Sequence, residues 1–247
     1  MQFTKKIVFL NSFFCLKRFI NIMLEKRIFV IGDIHGCFNT FNYLLNNILQ
    51  ISKEDDIYLL GDYIDRGPRI KQTVDFILEL IDEGYNIFPI KGNHEEILLE
   101  ALDPNDKYEL WINNYAFKTL DSFNIKSPFE FEEKYINFFK SIKYYYVLEK
   151  FILVHGGLNF RIDNPYTDFK AMVWERNSYI DMEKTGGRRL ITGHTPSTLN
   201  EVINSLSSNR ILLDGGCVYN KFYKNLGYLC ALELNTFELF YQKNIED

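Results

Sequence analysis

Apolar residues come in short blocks along this chain, and the early blocks each stop at a glycine. Residues 27–31 (RIFVI) form a β-rich run that ends at Gly32-Asp33-Ile34-His35-Gly36. Beyond it, Phe38, Phe41, Leu44, Leu45, Ile48 and Leu49 recur at helical spacing, which predicts a helix over 38–49. The pattern then repeats. Residues 57–60 (IYLL) stop at Gly61-Asp62-Tyr63-Ile64-Asp65-Arg66-Gly67-Pro68, and a helix is predicted from about 70 to 82 with Gly84 as its C-cap. Residues 87–90 (IFPI) give a third strand that breaks at Gly92 and delivers Asn93 and His94, with Glu95-Glu96 opening the next helix. Strand, glycine break and helix, three times over, predict an α/β architecture with a largely parallel sheet.

The second half reads differently. Residues 103–141 lack glycine, are rich in Phe, Tyr, Lys and Glu, and read as two helices joined around Ser127-Pro128. This stretch is too small to bury a core alone, so it is taken as a helical insertion beside the site. Residues 144–148 and 151–154 suggest a hairpin whose second strand ends in His155-Gly156-Gly157. Residues 189–191 lead into Thr192-Gly193-His194-Thr195-Pro196, and 210–213 end at Asp214-Gly215-Gly216. Residues 228–234 and 237–242 close the chain as a second hairpin. These strands predict a second sheet packed on the first.

Composition narrows the class. A net charge of -5 gives no electrostatic reason to expect a nucleic-acid partner. The four cysteines (Cys15, Cys37, Cys217, Cys230) are scattered without a CxxC, which speaks against a disulfide framework and fits a reducing cytoplasm. At 247 residues one domain is the default, read here as residues 24–247. Residues 1–23 are read as an N-terminal extension with Met23 as the natural start, the alternative being a targeting segment. Their apolar stretch lacks a small-residue cleavage site and is too short to span a bilayer, and no membrane association is expected.

The chemistry lies in the breaks. All four histidines (His35, His94, His155, His194) sit at predicted strand ends, as do 10 of the 14 glycines. A lone histidine is more often a satisfied core or surface residue, but four in one setting reverse that expectation. Open α/β sheets bind ligands at the carboxyl ends of their strands. Asp33, His35, Asp62, Asn93, His155 and His194 together offer two carboxylates, three imidazoles and one amide. This mixed N/O set without thiolate suits Mn²⁺, Fe or Zn²⁺ and not a structural zinc site. Six donors exceed what one ion needs, so two divalent ions sharing a carboxylate and a bridging hydroxide fit better. His94, beside the Asn93 amide, is suited to handling a proton. Asp65 is either a turn residue or the carboxylate that orients the His94 ring. Arg66 is either a surface arginine or a bidentate phosphate clamp. Arg176, in Trp174-Glu175-Arg176, is a second arginine whose place relative to the site the sequence leaves open.

GDIHG (32–36), GDYIDRG (61–67), GNHE (92–95), HGG (155–157) and GHTP (193–196) together resemble the phosphoprotein phosphatase family of metallophosphoesterases, nearest its compact bacterial and phage members. The resemblance covers about residues 27–242. It implies a calcineurin-like αββα sandwich, two mixed sheets flanked by helices, with a dinuclear metal centre for which manganese is favoured. It makes Asp33 and His35 ligands of the first ion, Asp62 the bridge, and Asn93, His155 and His194 ligands of the second. His94 then resembles the general acid with Asp65 as its partner, Arg66 the phosphate clamp, and Arg176 a second arginine in a W-x-R context. The implied reaction is direct attack of metal-bound hydroxide on phosphorus. In keeping with this, no cysteine opens a CxxxxxR loop, and there is no GxxxxGK[ST]. The expected activity is a phosphomonoesterase acting on phosphoserine or phosphothreonine in proteins. The competing expectations are a symmetrical dinucleoside polyphosphate hydrolase and, from another class, a non-catalytic scaffold on the same fold.

Overall fold

In the computed structural model, residues 26–103, 108–114, 116–176 and 179–246 are described. The N-terminal extension expected at 1–23 lies outside them. The first sheet is built from β1 (Ile28–Ile31), β2 (Asp56–Leu59), β3 (Asn86–Pro89), β8 (Tyr228–Glu233) and β9 (Leu239–Lys243). Across it the strands follow the order β3-β2-β1-β8-β9. The second has four, β4 (Tyr145–Val147), β5 (Phe151–Val154), β6 (Arg189–Thr192) and β7 (Arg210–Leu212), in that order. Both sheets are mixed. β1, β2 and β3 run parallel, as do β5, β6 and β7, while β8 is antiparallel to β1 and β4 to β5.

The period of two along each strand builds the layers. Val30, Tyr58 and Leu60 face inward and pack with Phe151, Leu153, Ile191, Ile211 and Leu213 between the sheets. Their neighbours Phe29, Ile31, Ile57 and Leu59 face outward into a core covered by helices. On the far side, Ile152, Val154 and Leu190 pack under Leu158, Met172 and Ile180. Central strands buried on both faces must be apolar throughout, which explains the unbroken runs in the sequence.

The helices refine the sequence expectations. Residues 38–49 are helical, but α1 (Phe38–Tyr43) widens into a π-helical stretch (Leu44–Leu49) that ends at Gln50 with φ +47°. α2 (Ile70–Asp82) and α3 (Asn93–Glu100) follow β2 and β3 as expected. Pro89 is tolerated in β3 because that strand lies at the sheet edge. The expectation of two helices in 103–141 is corrected to three among the described residues: α4 (Tyr108–Asn113), α5 (Ala116–Phe123) and α6 (Glu133–Ser141). The Asn113-Asn114 pair, a poor helix former, lies at the end of α4. Ser127-Pro128 opens a short 3₁₀ turn before α6. These helices do not sit apart from the main core: Trp111, Leu120, Tyr135 and Phe139 merge with it. α7 (Phe169–Trp174) and α8 (Leu199–Ser205) complete the set.

The start of β1 is tied by Arg27, whose Nε and Nη2 donate to the two oxygens of buried Asp55 at 2.8 and 2.6 Å. Burial pushes the Asp55 carboxyl up, but the bonds from Arg27 and Ser52 outweigh it and hold the group below its usual range. A depressed folded-state pKa means stabilisation that is present above the unfolded pKa and lost as pH falls through the folded one. Asp55→Asn is therefore expected to cost about 1–2 kcal/mol at neutral pH, screened at the half-exposed arginine end. Urea midpoints for the two chains should converge as pH falls below about 4. A gap that persists unchanged at low pH would contradict the assignment.

Candidate active site

Parallel pairing in register aligns the strand ends. Ile31 pairs with Leu59 and Leu59 with Pro89, so the loops after β1, β2 and β3 meet at one edge of the first sheet. The loops after β5, β6 and β7 do the same at the second. His35, Asp62, Asn93, His94, His155 and His194 come together there, all buried. Five of the eight non-glycine residues with positive φ among the described residues are predicted site residues: His35, Asp62, Asp65, Arg66 and His194. Strain gathered at one place in this way points to function.

Glu95 holds the strained loop. Its carboxylate, fully buried, accepts the backbone N–H groups of Asp62, Tyr63, Ile64 and Gly92 at 2.8–3.3 Å. Burial and the charge of Asp62 push it up to about 7, against the pull of His94 and those N–H groups. In the sequence Glu95 reads as an acidic helix start and the last residue of GNHE, with no sign of this role. Glu95→Ala would orphan four buried donors, each worth about 1–3 kcal/mol. With partial rehydration a net loss of about 3 kcal/mol is expected, lowering Tm by about 6–12 °C. A fall of no more than about 2 °C in a thermal melt would contradict this role.

The donor atoms form two overlapping groups, His35–Asp62–His94 and Asp62–His155–His194, with atoms within 4.8 Å of one another in each. Asp62 is common to both. Its Oδ2 lies 3.3 Å from His35 Nε2 and its Oδ1 lies 3.4 Å from His155 Nε2. His155 Nδ1 donates to the Leu60 carbonyl at 2.8 Å, which leaves Nε2 as a bare lone pair. That lone pair faces Asn93 Oδ1 at 3.0 Å and His194 Nδ1 at 3.1 Å. His35 is fixed in the same way, with Nδ1 on the Ile64 carbonyl at 2.8 Å. Imidazole, carboxylate and amide lone pairs gathered this closely suit a cation. His194 Nε2 and His94 Nε2 are buried without a partner.

Charge tells the same story. Burial raises Asp33 well above the usual carboxylate range, helped by Asp214 and Asp62. Burial pushes Asp214 up to about 7, with Asp62 adding to it against the Gly216 N–H. Crowded carboxylates of this kind are relieved by a bound cation. Burial, with Arg66 beside it, takes His35 down to about 3, and burial with His155 takes His194 down to about 2. Burial lowers His155 too. These three rings are thus held neutral, the form that binds metal. His94 goes the other way: burial pulls it down, but Asp62 and Asp65 outweigh that and raise it.

Asp65 Oδ2 lies 2.6 Å from His94 Nδ1, where it can orient that ring. Thr119, on α5, accepts the Asp65 N–H and donates to Asp65 Oδ1. No sequence signal marks Thr119, a helical threonine 54 positions away. Asp214 does carry one, being the acid before Gly-Gly at a strand end. Arg66 Nη1 lies 2.6 Å from His35 Nε2, so its guanidinium points into the site. Arg176 is exposed, yet its charge reaches His155, His194 and Asp214. Asp33 stands slightly apart from the two groups, its carboxylate accepting the His194 backbone N–H at 2.9 Å. A Cβ at Gly92 or Gly193 would collide with the carboxylate of Asp62 or Asp33, so both positions require glycine.

Comparison with known proteins gives one consistent family. The model described as calcineurin-like phosphoesterase matches residues 26–229. The chain is 29% identical over 231 residues to serine/threonine-protein phosphatase 2 of Salmonella typhimurium, covering 89% of this chain and 96% of that one. It is 38% identical over 88 residues to the symmetrical bis(5'-nucleosyl)-tetraphosphatase of Buchnera aphidicola, covering 35% of this chain and 31% of that one. The first curated relatives are matched over roughly a third to a half of their own length. A protein serine/threonine phosphatase from Saccharomyces cerevisiae superposes with a TM-score of 0.60 over 90% of this chain and 81% of that one, at 14% identity. That likeness supports the fold alone. Among the described residues no helix is long and apolar enough to cross a membrane.

Proposed function

The chain belongs to the calcineurin-like phosphoesterases, and from that premise we propose that it is a phosphomonoesterase acting on phosphoserine and phosphothreonine in proteins. Two divalent ions fit the donor set, manganese for preference, with iron or zinc as alternatives. Asp33, His35 and Asp62 would hold one, and Asp62, Asn93, His155 and His194 the other. When bound, the pair neutralises phosphoryl oxygens and acidifies water in the site. A reducing cytoplasm is part of the reading, consistent with free, buried Cys37, Cys217 and Cys230.

The chain's own residues do the rest. Arg66 and Arg176 would take phosphoryl oxygens, Arg66 by its two parallel N–H groups. His94 Nε2, partnerless and buried, would donate the proton, while Asp65 holds Nδ1 and Thr119 holds Asp65. That dyad is the observation carrying the reading. A serine or threonine alkoxide leaves only with a proton, whereas a nucleotide leaving from an anhydride hardly needs one. A buried imidazolium therefore suits an ester. The near full-length alignment with serine/threonine-protein phosphatase 2 supports the same substrate class.

The test compares kcat/KM of Mn²⁺-loaded protein on a phosphothreonine peptide and on diadenosine tetraphosphate. The peptide is expected to be turned over at least about tenfold better. A preference of that size for the dinucleotide would replace the reading with the polyphosphate hydrolase.

A further inference from the structure

Beside the metal-binding cleft lies a cavity of about 350 Å³ lined by Arg66, Phe117, Lys118, Val218, Tyr219, Phe222 and Tyr223. Phe222, Tyr223 and Phe117 are 77, 61 and 46% exposed, an unusual concentration of bare aromatic surface at the mouth of a site. Two elements build it. α5 reaches the catalytic dyad through Thr119, and one and two positions earlier it presents Lys118 and Phe117 to the cavity. The opposite wall is the stretch after β7 that includes Tyr219, whose ring lies 5.6 Å from the Arg66 guanidinium carbon. Arg66 therefore belongs to both places: one face of the cavity and a nitrogen 2.6 Å from His35.

We propose that this cavity seats a large apolar side chain of the phosphoprotein substrate, one or two residues from the phosphorylated serine or threonine. The inference rests on the serine/threonine reading above and names the substrate feature that the site selects. Its size takes one large side chain with room to spare. An extended peptide advances about 3.4 Å per residue, so a cavity one guanidinium away from the phosphate serves an immediate neighbour. The lining holds two cations and no carboxylate, which disfavours a basic neighbour. The same aromatic walls and guanidinium would stack a nucleobase, and hydrolysis of diadenosine tetraphosphate separates the two occupants. An aliphatic or aromatic side chain needs only the apolar walls.

The experiment uses the Mn²⁺-loaded full chain and phosphothreonine peptides carrying Phe, Leu, Ala or Lys at the flanking positions. The preference is the ratio of kcat/KM between peptides within one enzyme. For the unaltered chain the Phe and Leu peptides are expected to exceed the Ala peptide about tenfold, with Lys below Ala. In the Phe117→Ala/Phe222→Ala chain the ratio should fall to about 2 or less. Phe222→Ala alone, at the most exposed of these positions, should lower it partway and guards against misfolding of the double variant. A flat peptide panel, or a preference that survives both substitutions, would overturn the proposal and leave the serine/threonine reading intact. Turnover of p-nitrophenyl phosphate but of no phosphopeptide would overturn both. Selective loss of diadenosine tetraphosphate hydrolysis in the variants would make the cavity a base-stacking platform instead.

Discussion

Asp62→Asn is expected to lower kcat/KM by about 10³-fold or more on every phosphate ester. Asp62 is the residue shared by both donor groups, with one oxygen toward His35 and the other toward His155. Burial pushes its carboxyl up, but His155, His94 and His35 hold it well below the usual range, so it is ionised. Asparagine keeps the size and one acceptor oxygen but removes the charge. Electrostatic stabilisation of a phosphoryl group by bound ions is worth several kcal/mol, and each 1.4 kcal/mol is about tenfold. The substitution adds no bulk against Gly92, so the thermal midpoint should move far less than the rate. An Asp62→Asn chain that retains a tenth of the activity would remove Asp62 from the centre of the account.

The second large effect is selective. His94→Ala is expected to cut kcat by about 10²–10⁴-fold on a phosphothreonine peptide, the range for loss of one general acid. On p-nitrophenyl phosphate, whose leaving group departs without a proton, the loss should be smaller by at least about tenfold. The contrast separates proton donation from a general collapse of the site. His94 also packs edge-on to the His35 ring at 4.8 Å, so some loss on both substrates is expected from loosened packing. Equal losses on the two would assign His94 a structural role alone.

Much of this is legible from residues. The layers follow from alternation: Phe29 and Ile31 outward, Val30 inward, in strands apolar on both faces. The site follows from where those runs stop, since glycine breaks at aligned parallel strands must meet. What stays hidden depends on contacts between distant segments. Glu95 looks like a helix-start acid because its four N–H partners belong to a loop thirty positions earlier and to its own helix start. Thr119 has no local mark, since its partner Asp65 is brought to it by packing of α5 against α2. The break of the 103–141 segment into three helices is masked by its even, glycine-free composition, in which only Asn113-Asn114 signals the first break. Arg176 cannot be placed from spacing, because its relation to the site is set by how the chain leaves α7, extended at Glu175.

Two divalent ions, gathered by these donors, would make the chain a phosphatase. The most direct measurement is phosphatase activity as a function of Mn²⁺ bound per chain, by elemental analysis of the desalted protein during reconstitution. Activity is expected to rise steeply only as binding approaches two ions per chain, and to be recovered after chelation by adding the ion back. In a His194→Ala chain, binding should stop near one ion, with activity lost alongside. Full activity in protein holding no metal, or retention of none at any Mn²⁺ concentration, would contradict the account.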